Sequence, residues 1–318
     1  MGDETSYWWR IGARRGIDRM TASGADRSEA RAAFDPLLHE LRPKLHRYCA
    51  RMTGSVVDGE DVVQEALVKA IEALPATGSI VYPEGWLFRI AHNAALDFLR
   101  RRARHEALRS EQDPDMISDP VTAADHRQIA AASLRTFMRL PVAQRSSVIL
   151  MDVLGYSLEE IGAVMDSSIP AVKAALHRGR ARLRELAQEP DDLPPPVLAE
   201  PERSLLAAYV DRFNARDFDA VRAMLAAEVR LELVSKSRMN GRGEVGRYFH
   251  NYARLEDWTF IPGLVDGRPA ALVGDPADPA GTPAYFVLLE WAGDSVLDIR
   301  DFRFARYAIE GAELSTLV

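Results

Sequence analysis

The sequence predicts a multidomain chain in which two all-α helical modules precede a C-terminal α+β domain. Apolar residues recur at steps of three and four through the first 190 residues, which is typical of amphipathic helices. After residue 228 they alternate with polar residues in several segments, which is typical of strands. Two acidic, proline-containing segments separate these parts. The predicted parts are a disordered tail (1–27), a first helical module (28–109), an acidic linker (110–122), a second helical module (123–188), a proline-rich linker (189–201) and a C-terminal domain (202–318).

Composition excludes several classes of protein. A single cysteine, Cys49, cannot form an internal disulfide, which fits a reducing compartment. No run of about 18 apolar residues is present, so we expect no transmembrane helix and no membrane partner. The first 20 residues lack the apolar core of a secretory signal, and Met20 is an alternative start. We therefore expect a cytoplasmic protein that needs neither a cofactor nor a metal.

The charge distribution separates the helical part from the C-terminal part. Residues 1–190 carry 26 basic and 26 acidic side chains, whereas residues 191–318 carry 14 and 21, which accounts for the net charge of −7. Two basic segments, 89–109 and 167–187, flank the acidic segment 110–126. This alternation suggests two polyanion-binding modules joined by an acidic connector, with ordinary solvated helix faces as the alternative.

The first module is predicted to contain three helices, over 28–52, 57–73 and 84–105. Proline and glycine between residues 74 and 83 predict a loop. The second module is predicted to contain four helices: 123–139, 142–153, 158–165 and 169–187.

The last two of these helices form a helix-turn-helix pattern, because about three residues join them and the second helix is basic. Ser157 and Glu160 have the spacing of a capping box at the start of one helix, and Ser168 is a suitable N-cap for the other. Many helical hairpins share this pattern, so it is only moderately specific.

The C-terminal domain is predicted to begin with two short helices within 202–226 and to continue as a curved antiparallel sheet. The predicted strands are 229–234, 258–265, 270–273, 284–291 and 296–305, with one helix over 244–252.

Three segments of the helical part resemble extracytoplasmic-function RNA polymerase sigma factors of the sigma-70 superfamily. DGEDVVQEALVKAIEAL (58–74) resembles the region 2 helix that docks on the polymerase clamp. WLFRIAHNAALDFLRRRAR (86–104) resembles the helix that melts the promoter and reads its −10 element, and the segment 140–186 resembles region 4, which reads the −35 element. The motifs occur in the family's order over residues 28–187.

The resemblance implies partners and contact residues in the first module. Core RNA polymerase is expected to contact Asp58, Asp61, Gln64 and Glu65. Promoter DNA at the −10 element is expected to contact His92, Asn93, Asp97, Arg100, Arg101 and Arg102. His92 stands where many family members have arginine, which puts one phosphate contact in doubt. The loop 76–82 lies where the family captures a flipped −10 base.

The last helix of the second module is expected to contact the −35 element, because its basic residues lie along one broad side. The candidate residues are Ser168, Lys173, His177, Arg178, Arg180 and Arg182. Positions 174 and 175 are often polar or basic in the family and are both alanine here. We therefore expect this helix to make few hydrogen bonds to base edges.

Residues 202–312 resemble a SnoaL-like domain, a cone-shaped α+β fold, chiefly through YVDRFNARDFDAVRAMLAAEVRLELV (209–234). Some members are cyclases or isomerases that use an Asp or His in the cone for acid–base chemistry. The candidate pocket residues are His250, Tyr252, Asp257 and Asp301, and none lies in a motif that fixes a role. We expect a regulatory domain that contacts the sigma-like modules and binds an unknown small ligand.

These observations predict a non-enzymatic sigma factor that recognises the −35 and −10 elements and whose activity is modulated by the fused domain. Two alternatives remain open. One is a helix-turn-helix regulator that works without polymerase, which would leave residues 28–105 unexplained. The other is a SnoaL-type cyclase or isomerase with a helical appendage.

Overall fold

The computed structural model describes residues 24–77, 80–106, 132–189, 197–254, 258–275, 278 and 281–317. The chain divides into two compact units, residues 1–190 and 191–318. The boundary falls within the predicted proline-rich linker. Residues 1–23 of the predicted tail and residues 107–131, which include the acidic linker, lie outside the described residues.

The first helical module consists of three long helices, as the apolar spacing predicts. They are α1 (Gly24–Thr53), α2 (Val56–Thr77) and α3 (Pro83–Glu106). Leu45, Tyr48 and Phe88 are fully buried between them. Gly54 makes the tight turn from α1 to α2 with φ of 80°, a conformation that favours glycine. Helix α2 continues to Thr77, so the loop predicted from residue 74 begins later than expected.

The second helical module contains four α-helices among the described residues. They are α4 (Leu134–Met138), α5 (Val142–Val148), α6 (Leu158–Met165) and α7 (Ile169–Leu186), and α5 continues as a π-helical turn over Ile149–Val153. The predicted helix over 123–139 is wrong at residues 132 and 133, because the Ser133 side chain accepts a hydrogen bond from the Thr136 amide and so caps α4.

The helix-turn-helix consists of α6 and α7, and local hydrogen bonds set both of its helix starts. The predicted capping box is confirmed: the Ser157 hydroxyl accepts from the Glu160 amide, and the Glu160 carboxylate accepts from the Ser157 amide at 2.8 Å. Asp166 takes a left-handed conformation in the turn, with φ of 52°. The Ser168 side chain then caps α7 by accepting from the Ala171 amide.

The two helical modules pack on each other and share one hydrophobic core. Phe137, Ile149 and Tyr156 of the second module belong to the same buried cluster as Tyr48 and Phe88 of the first. The Phe88 and Tyr156 rings lie 5.1 Å apart, centroid to centroid. The two modules therefore form one unit, which their separate sequence motifs do not predict.

The C-terminal unit is an α+β domain, as predicted. Its helices are α8 (Glu200–Asn214), α9 (Phe218–Ala223), α10 (Arg242–Ala253) and a 3₁₀ turn over Arg306–Ile309. Its strands are β1 (Leu225–Leu233), β2 (Ser237–Asn240), β3 (Thr259–Val265), β4 (Arg268–Gly274), β5 (Pro283–Ala292), β6 (Ser295–Asp301) and β7 (Leu314–Thr316). In the described part of the unit they form one sheet in the order β2-β1-β6-β5-β4-β3-β7.

The sheet is mixed, which corrects the prediction of an antiparallel sheet. Strands β1 and β6 run parallel, with Leu231 opposite Ile299 and Leu233 opposite Asp301. The remaining neighbours are antiparallel. Strand β2 was not predicted because its residues are mostly exposed and lack an apolar alternation, and β7 was not predicted because it has only three residues.

Aromatic side chains hold the helices of the C-terminal unit against its sheet. The Phe213 ring of α8 stacks on Phe260 of β3 at 4.4 Å between centroids. Phe249 and Tyr252 of α10 meet the same Phe213 ring edge-on. This cluster fixes the position of α10 and therefore of the two tyrosines on that helix, Tyr248 and Tyr252.

Candidate polymerase and DNA interfaces

The predicted polymerase-docking residues lie together on α2. Asp61 is exposed, while Asp58, Gln64 and Glu65 are partly buried. The Glu65 carboxylate accepts a hydrogen bond from Arg101 at 2.7 Å and lies 2.8 Å from the Lys69 ammonium. The hydrogen bond from Arg101, followed by the Lys69 interaction, holds the pKa of Glu65 below its usual value despite partial burial.

The predicted docking face and the predicted −10 face are adjacent, which the sequence motifs do not indicate. Arg101 of α3 reaches Glu65 of α2, and an Arg102 nitrogen lies 4.0 Å from an Asp58 oxygen. Reversing the charge of Glu65 or Asp58 on α2 is therefore expected to displace the α3 arginine that lies next to it.

Helix α3 presents an exposed polar and basic stripe. Asn93, Arg100, Arg101 and Arg102 are all exposed, as a DNA-contacting face requires. Asp97 is partly exposed and pairs with Arg100 at 2.9 Å, which fixes that guanidinium along the stripe. Asn93, Asp97, Arg100 and Arg101 share one side of α3, whereas Arg102, about half a helical turn around from Asn93, contacts Thr53 and Asp58. Five of the six predicted −10 residues are thus at least partly exposed.

His92 is the exception, and its burial corrects the predicted DNA contact. Its side chain is 5% exposed, and its Nδ1 lies 2.7 Å from the Tyr48 hydroxyl inside the first module. Burial, together with the nearby charges of Arg100 and Arg89, lowers the pKa of His92 to about 4. The imidazole is therefore neutral at pH 7 and packs in the core. A signal was available, because His92 follows the buried Phe88 by four residues.

Helix α7 exposes a narrower set of residues than predicted. Lys173, His177 and Arg178 are exposed, and Ser168 is exposed at the N-terminal end of the helix. Of the two alanines, Ala174 is exposed beside Lys173 and Ala175 is buried. Arg182 is partly exposed and bonds Glu185 at 2.9 Å. The exposed edge therefore consists chiefly of Lys173, Ala174, His177 and Arg178.

Arg180 faces the interior, which corrects its predicted role at the −35 element. Its Nε donates to Asp152 Oδ2 at 2.8 Å, and its Nη2 contacts the other carboxylate oxygen. The Asp152 side chain is fully buried, and that of Arg180 is 18% exposed. This bidentate pair ties α7 to the π-helical turn, so Arg180 positions the recognition helix.

In the C-terminal unit, the structure brings Tyr252 and Asp301 together. The buried Asp301 carboxylate at the end of β6 accepts from the Tyr252 hydroxyl at 2.6 Å, the Tyr248 hydroxyl at 3.3 Å and the Arg303 amide at 2.8 Å. Tyr248, Tyr285 and Arg303 were not predicted, although Tyr248 lies one helical turn before Tyr252. The side chain of His250 and the whole of Asp257 lie outside the described residues.

The Asp301 carboxyl makes the stability of the C-terminal unit depend on pH. Burial raises its pKa, although the hydrogen bonds from Tyr252, Arg303 and Tyr248 oppose the shift. The stabilising contribution of the protonated form is complete below the unfolded value of about 3.9 and is lost as pH rises through the folded pKa. We expect Asp301→Asn to remove this loss.

Amide hydrogen exchange in β5 and β6, corrected for intrinsic rates, measures this effect in the C-terminal unit alone. The stability of Asp301→Asn relative to the wild type should rise between pH 4 and 7. Asp294→Asn, in the exposed β5–β6 turn, is the control and should keep the wild-type slope. Equal slopes for Asp301→Asn and the wild type would contradict the assignment.

Both helical modules match families of known proteins. The family model for sigma-70 region 2 matches residues 37–105, and that for sigma-70 region 4 matches residues 134–183. The extracytoplasmic-function (ECF) RNA polymerase sigma factor SigM of Mycobacterium tuberculosis is 34% identical over 159 residues, covering 49% of this chain and 78% of SigM. The chain belongs to the ECF sigma factors.

Similarity to this family continues into the C-terminal unit. The sigma factor is 27% identical over 303 residues to the ECF RNA polymerase sigma factor SigG of M. tuberculosis, covering 86% of this chain and 82% of SigG. Among solved structures, a putative ketosteroid isomerase from Kribbella flavida is similar to 32% of this chain over 76% of its own length, with 23% identity and a TM-score of 0.25.

In the parts of this sigma factor that the structure describes, no helix has both the length and the apolar character needed to cross a membrane. Within the same residues, His, Cys, Asp and Glu side chains form no group of three that could hold a metal ion.

Proposed function

We propose that this sigma factor docks on core RNA polymerase through α2, contacts the −10 element through α3 and reads the −35 element through α7. The observation that carries the proposal is that two modules of one chain each expose a basic helix face. Helix α3 exposes Arg100, Arg101 and Arg102, and α7 exposes Lys173, His177 and Arg178. Lysine and arginine along one face provide the phosphate contacts that position a protein on DNA.

The two faces suit different tasks in promoter recognition. The N-terminal half of α7 enters the major groove, where Lys173 reaches phosphates or base edges and the Ala174 methyl meets a thymine methyl. Arg178, at the middle of the helix, reaches a phosphate or base edge at the border of this contact. The stripe on α3 holds phosphates of the strand that opens, and the amide of Asn93 offers hydrogen bonds to unstacked bases. Opening DNA in this way requires binding energy and no bond chemistry in the sigma factor.

The closed packing of the two modules is part of this proposal. The Tyr156 hydroxyl donates to Glu84 at 2.6 Å, and the Tyr82 hydroxyl donates to Glu160 at 2.9 Å, each across the boundary between modules. The −10 and −35 elements are about 25 base pairs apart, or about 85 Å along B-form DNA. Modules that touch side chain to side chain do not span this distance, so they separate when the promoter is bound.

Run-off transcription from a pool of genomic fragments tests the function directly. Core polymerase is supplied with the full chain or with residues 24–189, and defined start sites are expected. Failure of both forms, with a core enzyme that is active with another sigma factor, would overturn the proposal. Higher activity of the shorter form would indicate an inhibitory C-terminal unit, and lower activity would indicate a required one.

Charge reversal on α2 tests the docking face. Asp61→Lys places a cation on an exposed position of the proposed interface, and we expect at least about tenfold weaker binding to core polymerase. Glu72→Lys makes the same charge change at another exposed position on α2 and serves as the control. Titration of labelled variants with core polymerase measures both affinities, and equal affinities for the two variants would count against this face.

Removal of one exposed arginine tests the −35 contact. Arg178→Ala should weaken promoter binding by the holoenzyme by about 1–3 kcal/mol, with no loss of helix content. Arg135→Ala, which removes an exposed arginine from α4, is the control. Binding to promoters with an altered −35 element separates base readout from phosphate contact. An unchanged promoter profile for Arg178→Ala would remove this residue from the reading face.

We also propose that the C-terminal unit modulates transcription by binding a ligand and that it does so without catalysis. In support, Asp301 is engaged by the Tyr252 and Tyr248 hydroxyls and by a backbone amide, which is the environment of a structural carboxylate. The predicted contact between this unit and the sigma modules stays a prediction. The activity requires no cofactor in this proposal, and its place is the cytoplasm, where polymerase and promoter DNA occur.

A further inference from the structure

A cluster of cations and aromatic rings lies where β6 ends in the C-terminal unit. We call it the arginine–tyrosine rim, and it consists of Lys236, Tyr248, Tyr285, Arg303, Phe304 and Arg306. Arg303 and Arg306 of the rim both lie over Tyr285, and Phe304, which follows Arg303 in the chain, contacts Lys236.

The two arginines of the rim share one aromatic ring. The guanidinium carbons of Arg303 and Arg306 lie 5.9 and 5.4 Å from the Tyr285 ring centre. Arg303 also lies 5.4 Å from the Tyr252 ring centre and donates to the Tyr285 hydroxyl at 3.4 Å. A guanidinium placed over a ring keeps N–H groups at its edge, and that edge matches the two oxygens of a carboxylate or phosphate.

The buried network below the rim holds Arg303 in place. The Arg303 amide donates to Asp301 at 2.8 Å, and the Tyr252 hydroxyl donates to the same carboxylate at 2.6 Å. An anion that binds Arg303 therefore meets a guanidinium whose backbone and neighbouring rings are already fixed, which lowers the entropy cost of binding.

The charge of the rim is opposite to that of the unit around it. Elsewhere in the unit, arginines pair with acids: Arg230 with Asp298, and Arg238 with Glu232. For Lys236 and Arg306, no acidic partner within ion-pair distance occurs among the described residues. In the described structure, Lys236 and Arg306 are therefore positive charges without an acidic ion-pair partner in a part of the chain, residues 191–318, that carries seven more acidic than basic side chains.

The rim also offers an exposed apolar surface next to a cation. Phe304 is 43% exposed, and the Lys236 ammonium lies 3.8 Å from its ring centre. Closer to the arginines, the Tyr248 ring is partly exposed and lies 5.9 Å from Tyr252, the ring over which Arg303 lies. An aromatic surface for the body of a ligand therefore accompanies the donors for its charge.

We propose that the arginine–tyrosine rim binds a small organic anion, with its carboxylate or phosphate group on Arg303 and Arg306 and its apolar body against the exposed aromatic surface of the rim. This inference deepens the ligand-binding part of the proposed function by giving the chemical class of the ligand. Its test measures binding alone, so its failure leaves the transcription result untouched, and the reverse also holds.

Isothermal titration of the full chain with three probes tests the class of ligand. Sodium benzoate carries both charge and ring, benzamide carries the ring without the charge, and sodium acetate carries the charge without the ring. We expect benzoate to bind more tightly than both of the others. Equal binding of benzamide would overturn the anion site, and equal binding of acetate would overturn the aromatic contact.

Variants test the location of the site. Arg306→Gln, at an exposed position, and Arg303→Gln should each weaken benzoate binding about tenfold, which corresponds to the loss of one charge-assisted interaction. Arg230→Gln removes an arginine that is paired with Asp298 outside the rim, and it should bind as the wild type does. Circular dichroism checks folding, and Arg306→Gln decides the question if Arg303→Gln fails to fold. Benzoate affinities that do not differ between Arg306→Gln and Arg230→Gln would overturn the proposal.

Binding of a macromolecular polyanion to the rim would also overturn the small-anion proposal. An octaglutamate peptide or a short DNA duplex that competes with benzoate and binds far more tightly would identify the rim as a surface for a polyanion. Binding of benzoate without such competition supports the small anion.

Discussion

Replacing Arg145 with leucine is expected to separate the two helical modules while leaving their helices formed. The Arg145 side chain is buried and donates across the module boundary to the Met52 carbonyl at 2.6 Å. It also donates to the carbonyls of Met138 and Leu140 at 3.1 and 2.9 Å. Burial lowers the pKa of Arg145 to about 10, so the guanidinium stays charged at pH 7. Each buried carbonyl that loses its donor costs about 1–3 kcal/mol.

Distance measurement between spin labels reports the separation. One label at exposed Glu40 of the first module and one at exposed Ala163 of the second give a short, narrow distance distribution in the closed unit. Arg145→Leu should lengthen and broaden this distribution at unchanged helix content. Arg139→Leu, which removes an exposed arginine of the same module, is the matched control. A distribution that stays short in Arg145→Leu would mean that the shared core alone holds the modules together.

Removal of Arg180 is expected to destabilise the second module by about 3–5 kcal/mol, because the Asp152 carboxylate would remain buried without its partner. Hydrogen exchange of the α7 amides measures the loss in this module alone, and a change of 3 kcal/mol corresponds to roughly hundredfold faster exchange. Arg182→Ala, which breaks a more exposed pair with Glu185, should cost less than about 1 kcal/mol.

A second variant separates the ion pair from simple loss of packing. Replacing both partners, as Asp152→Leu with Arg180→Met, removes the buried charge as well as its partner and should recover most of the lost stability. If the double variant is as unstable as Arg180→Ala, the arginine acts through its contacts with other groups. In that case its pairing with Asp152 is not what positions α7.

Local signals in the sequence predicted the features of the fold that depend on nearby residues. The capping box of Ser157 and Glu160 and the cap at Ser168 involve groups three residues apart, so the pattern contains the whole interaction. Helix bounds in the first module were correct to within a few residues for the same reason. The exposed faces of α3 and α7 also follow from helical periodicity, since Asn93 and Arg178 lie opposite the apolar residues.

Features that depend on distant residues were not predictable in this way. The parallel pairing of β1 with β6 joins residues about 68 positions apart, as in the contact between Arg230 and Asp298. The inward roles of His92 and Arg180 depend on Tyr48 and Asp152, which lie on other elements. Residue type favoured a DNA contact for both, and only the tertiary partner reverses that expectation.

The hydrogen bond from Arg145 to the Met52 carbonyl has a consequence for folding during synthesis of the protein. The donor lies 93 residues after the acceptor, so the ribosome makes the first module well before the group that completes it. At about 5–20 residues per second, the interval is roughly 5–20 s. During that time the nascent first module presents an unfinished apolar surface. Chaperones that recognise such surfaces therefore have a defined window in which to act, and slower translation between codons 52 and 145 would widen it.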